Sequence, residues 1–312
     1  MIAGSAPTSD PTPSAAPVCA VLPNPTAGRG RHDGVVAHAL AALSDAGLDV
    51  RILEADTVAD ALAVSRRAVD DGAAALVAMG GDGTVHLAVQ AVAHSATALG
   101  VIPVGTGNDF AAESAIPRDP VAAAVLLADA LKAGRARRLD LARIDGPDGF
   151  TRRFAAVLGA GFDALVNERA NGMTWPKGRR RYDFAIFAEL VGLRPRHYTI
   201  TLDGEATGLD AVLVAVGNTA SYGGGMRMCP AADPTDGLLD VVIAGPLSRT
   251  TLLRLQPKVY SGKHLSHPQV TAVRARTVGI EAEGITVYAD GERMCPLPVT
   301  ITAEPGALTL LA

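Results

Sequence analysis

Three short stretches of the chain carry residues suited to phosphate chemistry: Gly80-Gly81-Asp82-Gly83-Thr84, Gly105-Thr106-Gly107-Asn108-Asp109, and the segment from Asn24 to Gly30. Glycines let backbone N–H groups approach phosphate oxygens closely, and a helix beginning at such a loop adds the positive end of its dipole. Asp82 is the odd residue in an anion-attracting loop. Its carboxylate would repel a bare phosphate, so it makes most sense with a divalent cation between the two. The first expectation is therefore a nucleoside triphosphate–Mg²⁺ site, with Asn24, Gly80, Gly81, Asp82, Gly83, Thr84, Gly105, Thr106 and Asn108 as nucleotide contacts. Each stretch also has a plainer reading. The glycines can serve a strand-to-helix turn alone, Asn108 or Asp109 can simply cap a helix starting at Phe110, and Pro-Asn-Pro is commonly just a turn.

The elements that must position these loops follow from periodicity. Val18–Leu22, Leu48–Leu53, Ala73–Met79 and Ala98–Pro103 are short apolar runs. Segments of helical spacing separate them, among them Val35–Ala46, Ala59–Ala68 and Val85–Val92. Strands alternating with helices predict a doubly wound α/β half, and the candidate loops then fall at the carboxyl ends of its strands, where such sheets bind ligands. From Arg138 onward strand-like runs dominate: Leu139–Ile144, Phe154–Leu158, Tyr198–Leu202, Ala211–Val216, Leu239–Ala244, Val270–Arg276, Ile285–Ala289 and Val299–Ala303. This half reads as a mainly antiparallel β-sandwich with helices near 163–170, 180–193 and 247–262. The expected organisation is a disordered tail over 1–17, an α/β domain over 18–138 and a β-sandwich domain over 139–312, the last residues being free to return to the first domain.

Composition narrows the class. A chain of 312 residues is long enough for two cores, and a net charge of −4 gives no general attraction to nucleic acid or an anionic membrane. The three cysteines are far apart, no C-x-x-C occurs, and a reducing, cytoplasmic setting is expected. The Ala-, Ser-, Thr- and Pro-rich start lacks the basic and apolar regions of a signal peptide. No apolar run has the length of a membrane span. Lys177 to Arg181, next to Trp175 and the apolar positions Phe184, Ile186, Phe187, Leu190 and Val191, suits peripheral contact with a membrane. A solvated basic turn before a packed helix suits the same residues equally. His86 reads as a core or surface histidine.

Taken in order, Asn-Pro-x-x-Gly from Asn24, Gly80–Thr84 and Gly105-Thr106-x-Asn108-Asp109-Phe110 resemble the diacylglycerol kinase catalytic-domain family of bacterial lipid kinases, which has sphingosine and ceramide kinases as relatives. The likeness continues through Val216-Gly217-Asn218, Gly223-Gly224-Gly225, Pro230 to Asp240 and Asp290-Gly291-Glu292. It implies an ATP-binding N-terminal domain, a C-terminal β-sandwich, a cleft between them and Mg²⁺ dependence. It further implies that Asp82 serves the metal–nucleotide complex, that Glu292 is the general base, and that Asp233, Asp236 and Leu238 hold a second, structural Mg²⁺. Many members have Lys-Leu-Asp-Asp-Gly where this chain has Asp233-Pro234-Thr235-Asp236-Gly237. Asp-Gly-Glu occurs at both 203–205 and 290–292, each with hairpin composition, and only the family order selects the second. The implied reaction is transfer of the ATP γ-phosphate to a membrane-lipid hydroxyl, foremost diacylglycerol to phosphatidic acid, by a protein that touches the membrane peripherally and can form a homodimer. Two other readings stand beside it: an NAD kinase-like phosphotransferase sharing the Gly-Gly-Asp-Gly loop, and a nucleotide-binding regulatory protein without turnover.

Overall fold

In a computed structural model the described residues are 16–24, 33–105, 107–173, 184–185 and 188–312. The tail before residue 16, the loop from Pro25, Thr106, Trp175, the basic cluster Lys177–Arg181, Ile186 and Phe187 lie outside them, as does most of the first part of the helix expected over 180–193.

The N-terminal half runs β1 (Val18–Pro23), α1 (Asp33–Asp45), β2 (Asp49–Ile52), α2 (Val58–Asp70), β3 (Ala75–Gly80), α3 (Asp82–Val92), β4 (Ala98–Pro103), α4 (Asp109–Glu113) and α5 (Pro120–Lys132). β1 to β4 pair in parallel, in the order β2-β1-β3-β4. Every residue of β3 and β4 is buried, as expected of central parallel strands covered by helices on both faces. Side-chain caps set helix starts: Thr57 Oγ1 accepts from Asp60 N at 3.1 Å, and Asp119 Oδ2 from Ala122 N at 2.8 Å with Pro120 at the first helical position.

The C-terminal half contains β5 (Arg137–Asp145), β6 (Thr151–Phe154), β7 (Val157–Gly161), α6 (Phe162–Gly172), β8 (Arg196–Leu202), β9 (Glu205–Ala211), β10 (Leu213–Gly217), β11 (Leu239–Ala244), α7 (Arg249–Val259), β12 (Val270–Ala275), β13 (Thr277–Glu281), β14 (Thr286–Ala289), β15 (Glu292–Pro296) and β16 (Val299–Leu310). One sheet of six antiparallel strands has the order β12-β11-β10-β7-β14-β15. It packs on an antiparallel layer containing β5, β6, β8, β9, β13 and β16, with Phe154, Leu158, Tyr198, Val216 and Ile280 in the core between them. The architecture is thus an α/β half joined to an antiparallel β-sandwich.

β16 unites the two halves. It pairs with β13 and β5 along its length, and at its far end Leu310 lies parallel to Leu99 of β4, giving a single ten-stranded sheet. The chain also divides where the sequence suggests continuity. Phe154–Leu158, expected as one strand, is β6 and β7 in different sheets. The N–H groups of Ala155 and Ala156 at the break go to a side chain, the Asp290 carboxylate, at 3.0 and 2.8 Å. Ala211–Val216 divides likewise at Val212, whose N–H turns to Ala244 O.

Candidate active site

The glycines of the central loop are required by contact. A methyl group on Gly80 would lie 2.1 Å from Thr84 Oγ1, because the first turn of α3 sits directly on the end of β3. Gly81 occupies the N-cap with no side chain of its own, so no side-chain cap takes up the first N–H groups of α3. A methyl on Gly105 would lie 2.4 Å from Gly81 Cα, and one on Gly107 would lie 2.6 Å from Asp82 Oδ2. The loops after β3 and β4 therefore touch backbone to backbone, with Asp82 against the second of them. Asn108, at a φ of 59°, donates to Gly105 O at 2.8 Å, while its buried Oδ1 has no hydrogen-bond partner among the described residues. Asn24 joins this group at the end of β1, its N–H donating to Met79 O at 3.0 Å.

Asp82 Oδ1 accepts from Phe110 N at 3.1 Å. Burial nevertheless pushes its pKa up, opposed by that N–H and reinforced by the charges of Asp109 and Asp290. A carboxylate so placed gains from a nearby cation.

Glu292 comes from the other half of the chain. It follows the β14–β15 turn, where Asp290 and Gly291 have φ of 53° and 80°. The Asp290 carboxylate is held by the N–H groups of Ala155 and Ala156, and its Oδ2 lies 3.1 Å from His86 Nδ1 on α3. This anchor brings the glutamate over the glycine loop: a methyl on Gly83 would be 2.9 Å from Glu292 Oε1. Asp203-Gly204-Glu205 builds the same kind of turn, with φ of 46° and 96°, and Asp203 likewise accepts from two backbone N–H groups, those of Arg276 and Thr277. Its Glu205, however, starts the edge strand β9 and is exposed.

Contacts that local spacing does not reveal, between α4 and the 221–225 stretch, tie the halves together. Asp109 accepts from Gly224 N at 2.7 Å and Gly225 N at 3.0 Å, in a run of three positive-φ glycines that presents both N–H groups to one carboxylate. Glu113 meets Ser221; within the C-terminal half, buried Asn218 donates to Asp140 O and Ala155 O at 3.0 and 2.8 Å. The acidic residues near an Asn and a Gly-Gly-Gly were visible, but their pairing depends on contacts more than 100 residues apart along the chain. Asp233, Asp236 and Leu238 form a separate loop before β11. Asp233 Oδ1 accepts from Thr235 N and Oγ1, Asp236 Oδ1 accepts from Leu238 N, and Asp236 Oδ2 is paired with Arg274.

With this geometry in place, comparison with known proteins is specific. Residues 18–144 match the diacylglycerol kinase catalytic domain, and residues 156–312 match the YegS C-terminal NAD kinase beta sandwich-like domain. A diacylglycerol kinase of Mycobacterium tuberculosis is 44% identical over 292 residues, covering 93% of each chain. A "Probable lipid kinase YegS-like" protein of Xanthomonas oryzae is 34% identical, covering 84% of this chain and 86% of its own. A crystal structure of a diacylglycerol kinase from Bacillus anthracis superposes with a TM-score of 0.70 over 95% of this chain and 96% of that one; at 22% identity this likeness speaks for the fold. Two family matches in the expected order and relatives aligned over nearly the whole length lead to one conclusion: the chain is a kinase belonging to the diacylglycerol kinase family of lipid kinases.

Proposed function

We propose that the chain is an ATP- and Mg²⁺-dependent lipid kinase that transfers the γ-phosphate of ATP to a lipid hydroxyl, foremost diacylglycerol, giving phosphatidic acid and ADP. The observation that carries this reading is the position of the Glu292 carboxylate over Gly83, in the first turn of α3, the helix that Asp82 begins. A lipid hydroxyl is a poor nucleophile, and a carboxylate within reach can take its proton as the oxygen attacks phosphorus and the bond to ADP breaks. Phosphoryl transfer otherwise depends on positioning and on neutralising charge. Gly80, Gly81, Gly83, Thr84, Gly105, Thr106, Asn108 and Asn24 would line the nucleotide.

The residues fit a nucleotide-bound Mg²⁺. Asp82 is a buried carboxylate with an upward-shifted pKa, the glycine cradle leaves space no Cβ fills, and Asn108 Oδ1 is a buried acceptor with no partner among the described residues. When bound, the ion would neutralise phosphate oxygens, with Asp82 holding it directly or through water. Phe184 and Val191, hydrophobic side chains each more than half exposed, support peripheral membrane contact on the α6–β8 side. Among the described residues no helix is long and apolar enough to cross a membrane.

The test is transfer of labelled γ-phosphate from ATP to diacylglycerol in mixed micelles. Activity is expected in the wild type, with Glu292→Gln lowering kcat by about 10²–10⁴-fold. Asp82→Ala is expected to lose both turnover and the Mg²⁺ response, and Glu205→Gln to behave as wild type. Undiminished activity in Glu292→Gln, or equal loss in Glu205→Gln, overturns the assignment.

A further inference from the structure

The family resemblance implies a structural Mg²⁺ at Asp233, Asp236 and Leu238, and the residues present do not fit it. Arg274 lies directly opposite Asp240 in the β11–β12 register, and its guanidinium reaches two carboxylates, one on β11 and one in the loop: Nε donates to Asp240 Oδ2 at 3.1 Å, and Nη2 is paired with Asp236 Oδ2. The other Asp236 oxygen accepts from Leu238 N at 3.0 Å, and Asp233 Oδ1 is occupied by the N–H and hydroxyl of Thr235 at 3.0 and 2.6 Å. Among the described residues, no three His, Cys, Asp or Glu side chains are grouped to hold a metal.

The loop is instead fixed by the chain itself. Beneath it, buried Asp140 accepts from Gly237 N and Gly306 N at 2.7 Å each, and its own N–H donates to Pro234 O at 2.7 Å. Gly237 has a φ of 73°, which suits the glycine at that point. Beside it, Asp240 is only 5% exposed, so its charge needs a partner, and Arg274 is that partner. A cation drawing Asp236 away would take half of the guanidinium's carboxylate partners.

We infer that Arg274 supplies, as part of the chain, the positive charge that a divalent cation supplies at this loop elsewhere in the family, so that the 233–240 loop and the β11–β12 edge are ordered without metal. A guanidinium suits this because its planar array of donors can engage two carboxylates at once. The inference is independent of the lipid reaction, and its test reads stability.

The experiment follows thermal unfolding of the nucleotide-free full chain in EDTA and across a Mg²⁺ titration. The wild type is expected to unfold at the same midpoint throughout. Arg274→Gln is expected to unfold several degrees lower in EDTA and to recover as Mg²⁺ is added, because the acids are then without a cation. Adding Asp236→Asn to Arg274→Gln should abolish that recovery. A wild-type midpoint that rises with Mg²⁺ and stops doing so in Asp236→Asn would overturn the inference, as would an Arg274→Gln protein indifferent to Mg²⁺. Should Arg274→Gln fail to fold, wild type and Asp236→Asn decide the matter: flat Mg²⁺ responses in both support the inference, and a wild-type response lost in Asp236→Asn sinks it.

Discussion

Asp290, in the same turn as Glu292, shows how little of a site's geometry a motif contains. Its carboxylate is held by two backbone N–H groups of the β6–β7 break and faces the buried imidazole of His86, a residue of the α/β half. His86 is therefore expected to act on Glu292 through Asp290, as a positioning residue. His86→Ala removes one of three contacts, so the turn should loosen while staying attached. The expected result is a kcat about tenfold lower, the equivalent of ~1.4 kcal/mol, with ATP affinity little changed. Asp290→Ala loses all three contacts and should fall further. Steady-state kinetics of the two variants check the order; His86→Ala as damaging as Asp290→Ala would remove the positioning role. Composition and spacing alone do not separate Asp203-Gly204-Glu205 from Asp290-Gly291-Glu292, which only the family order selects, and the two turns are built alike, down to an aspartate holding two N–H groups. What separates them is the strand each turn leads into, and strand order in a sheet is invisible to local spacing.

At the level of elements, legibility follows burial. β3 and β4 are unbroken apolar runs because both their faces are covered, so strand, glycine loop and helix could be read directly from residues 75–92. β9, with the sequence Glu-Ala-Thr-Gly-Leu-Asp-Ala, is an exposed edge with no clean alternation, so periodicity does not mark it as a strand. The glycine loops invite a contrast between two substitutions. In Gly105→Ala the new methyl meets the Gly81 backbone at 2.4 Å, and backbone cannot step aside cheaply. Overpacking of this kind costs about 1–3 kcal/mol, and because it parts the two loops, ATP affinity should fall with stability. In Gly83→Ala the methyl meets only the end of a side chain, Glu292 Oε1 at 2.9 Å. Alanine also favours the helix by up to about 1 kcal/mol, so stability should hold while kcat drops as the carboxylate is displaced. Calorimetric ATP binding, thermal unfolding and turnover measured on both proteins separate the cases. Equal losses of ATP affinity in the two would mean that the loop contact has no bearing on nucleotide.

Across the whole molecule, β16 makes the two halves one body, and a cluster of charges sits where its pairing with β5 shifts register, between Glu304 and Leu308. Glu304, 9% exposed, lies 2.6 Å from Arg153 Nε on β6, 2.9 Å from His94 Nε2 just past α3, and 3.3 Å from Arg143 Nη1 on β5. Arg143 is shared with Asp145 at 2.9 Å, and the α3–β6 contact is closed by Gln90, which exchanges hydrogen bonds with the Arg153 backbone. Burial pushes the Glu304 pKa up, but its hydrogen bonds and charge contacts with Arg153 and His94 outweigh burial and hold it below the ordinary glutamate value. The consequence for stability has a definite sign. Above the ordinary value the carboxylate is ionised in both folded and unfolded chains, and the cluster contributes in full. As pH falls through that value the unfolded chain takes up a proton the native one refuses, and the contribution declines until it is gone below the folded pKa. Glu304→Gln should therefore cost about 2 kcal/mol near neutrality, the scale of a hydrogen bond to a charged group. Below about pH 5 the wild-type curve should descend toward the mutant's. Urea unfolding midpoints taken across the acid range measure this directly. Two curves that stay parallel down to the lowest pH would show that the clasp between the halves does not depend on the charge of Glu304.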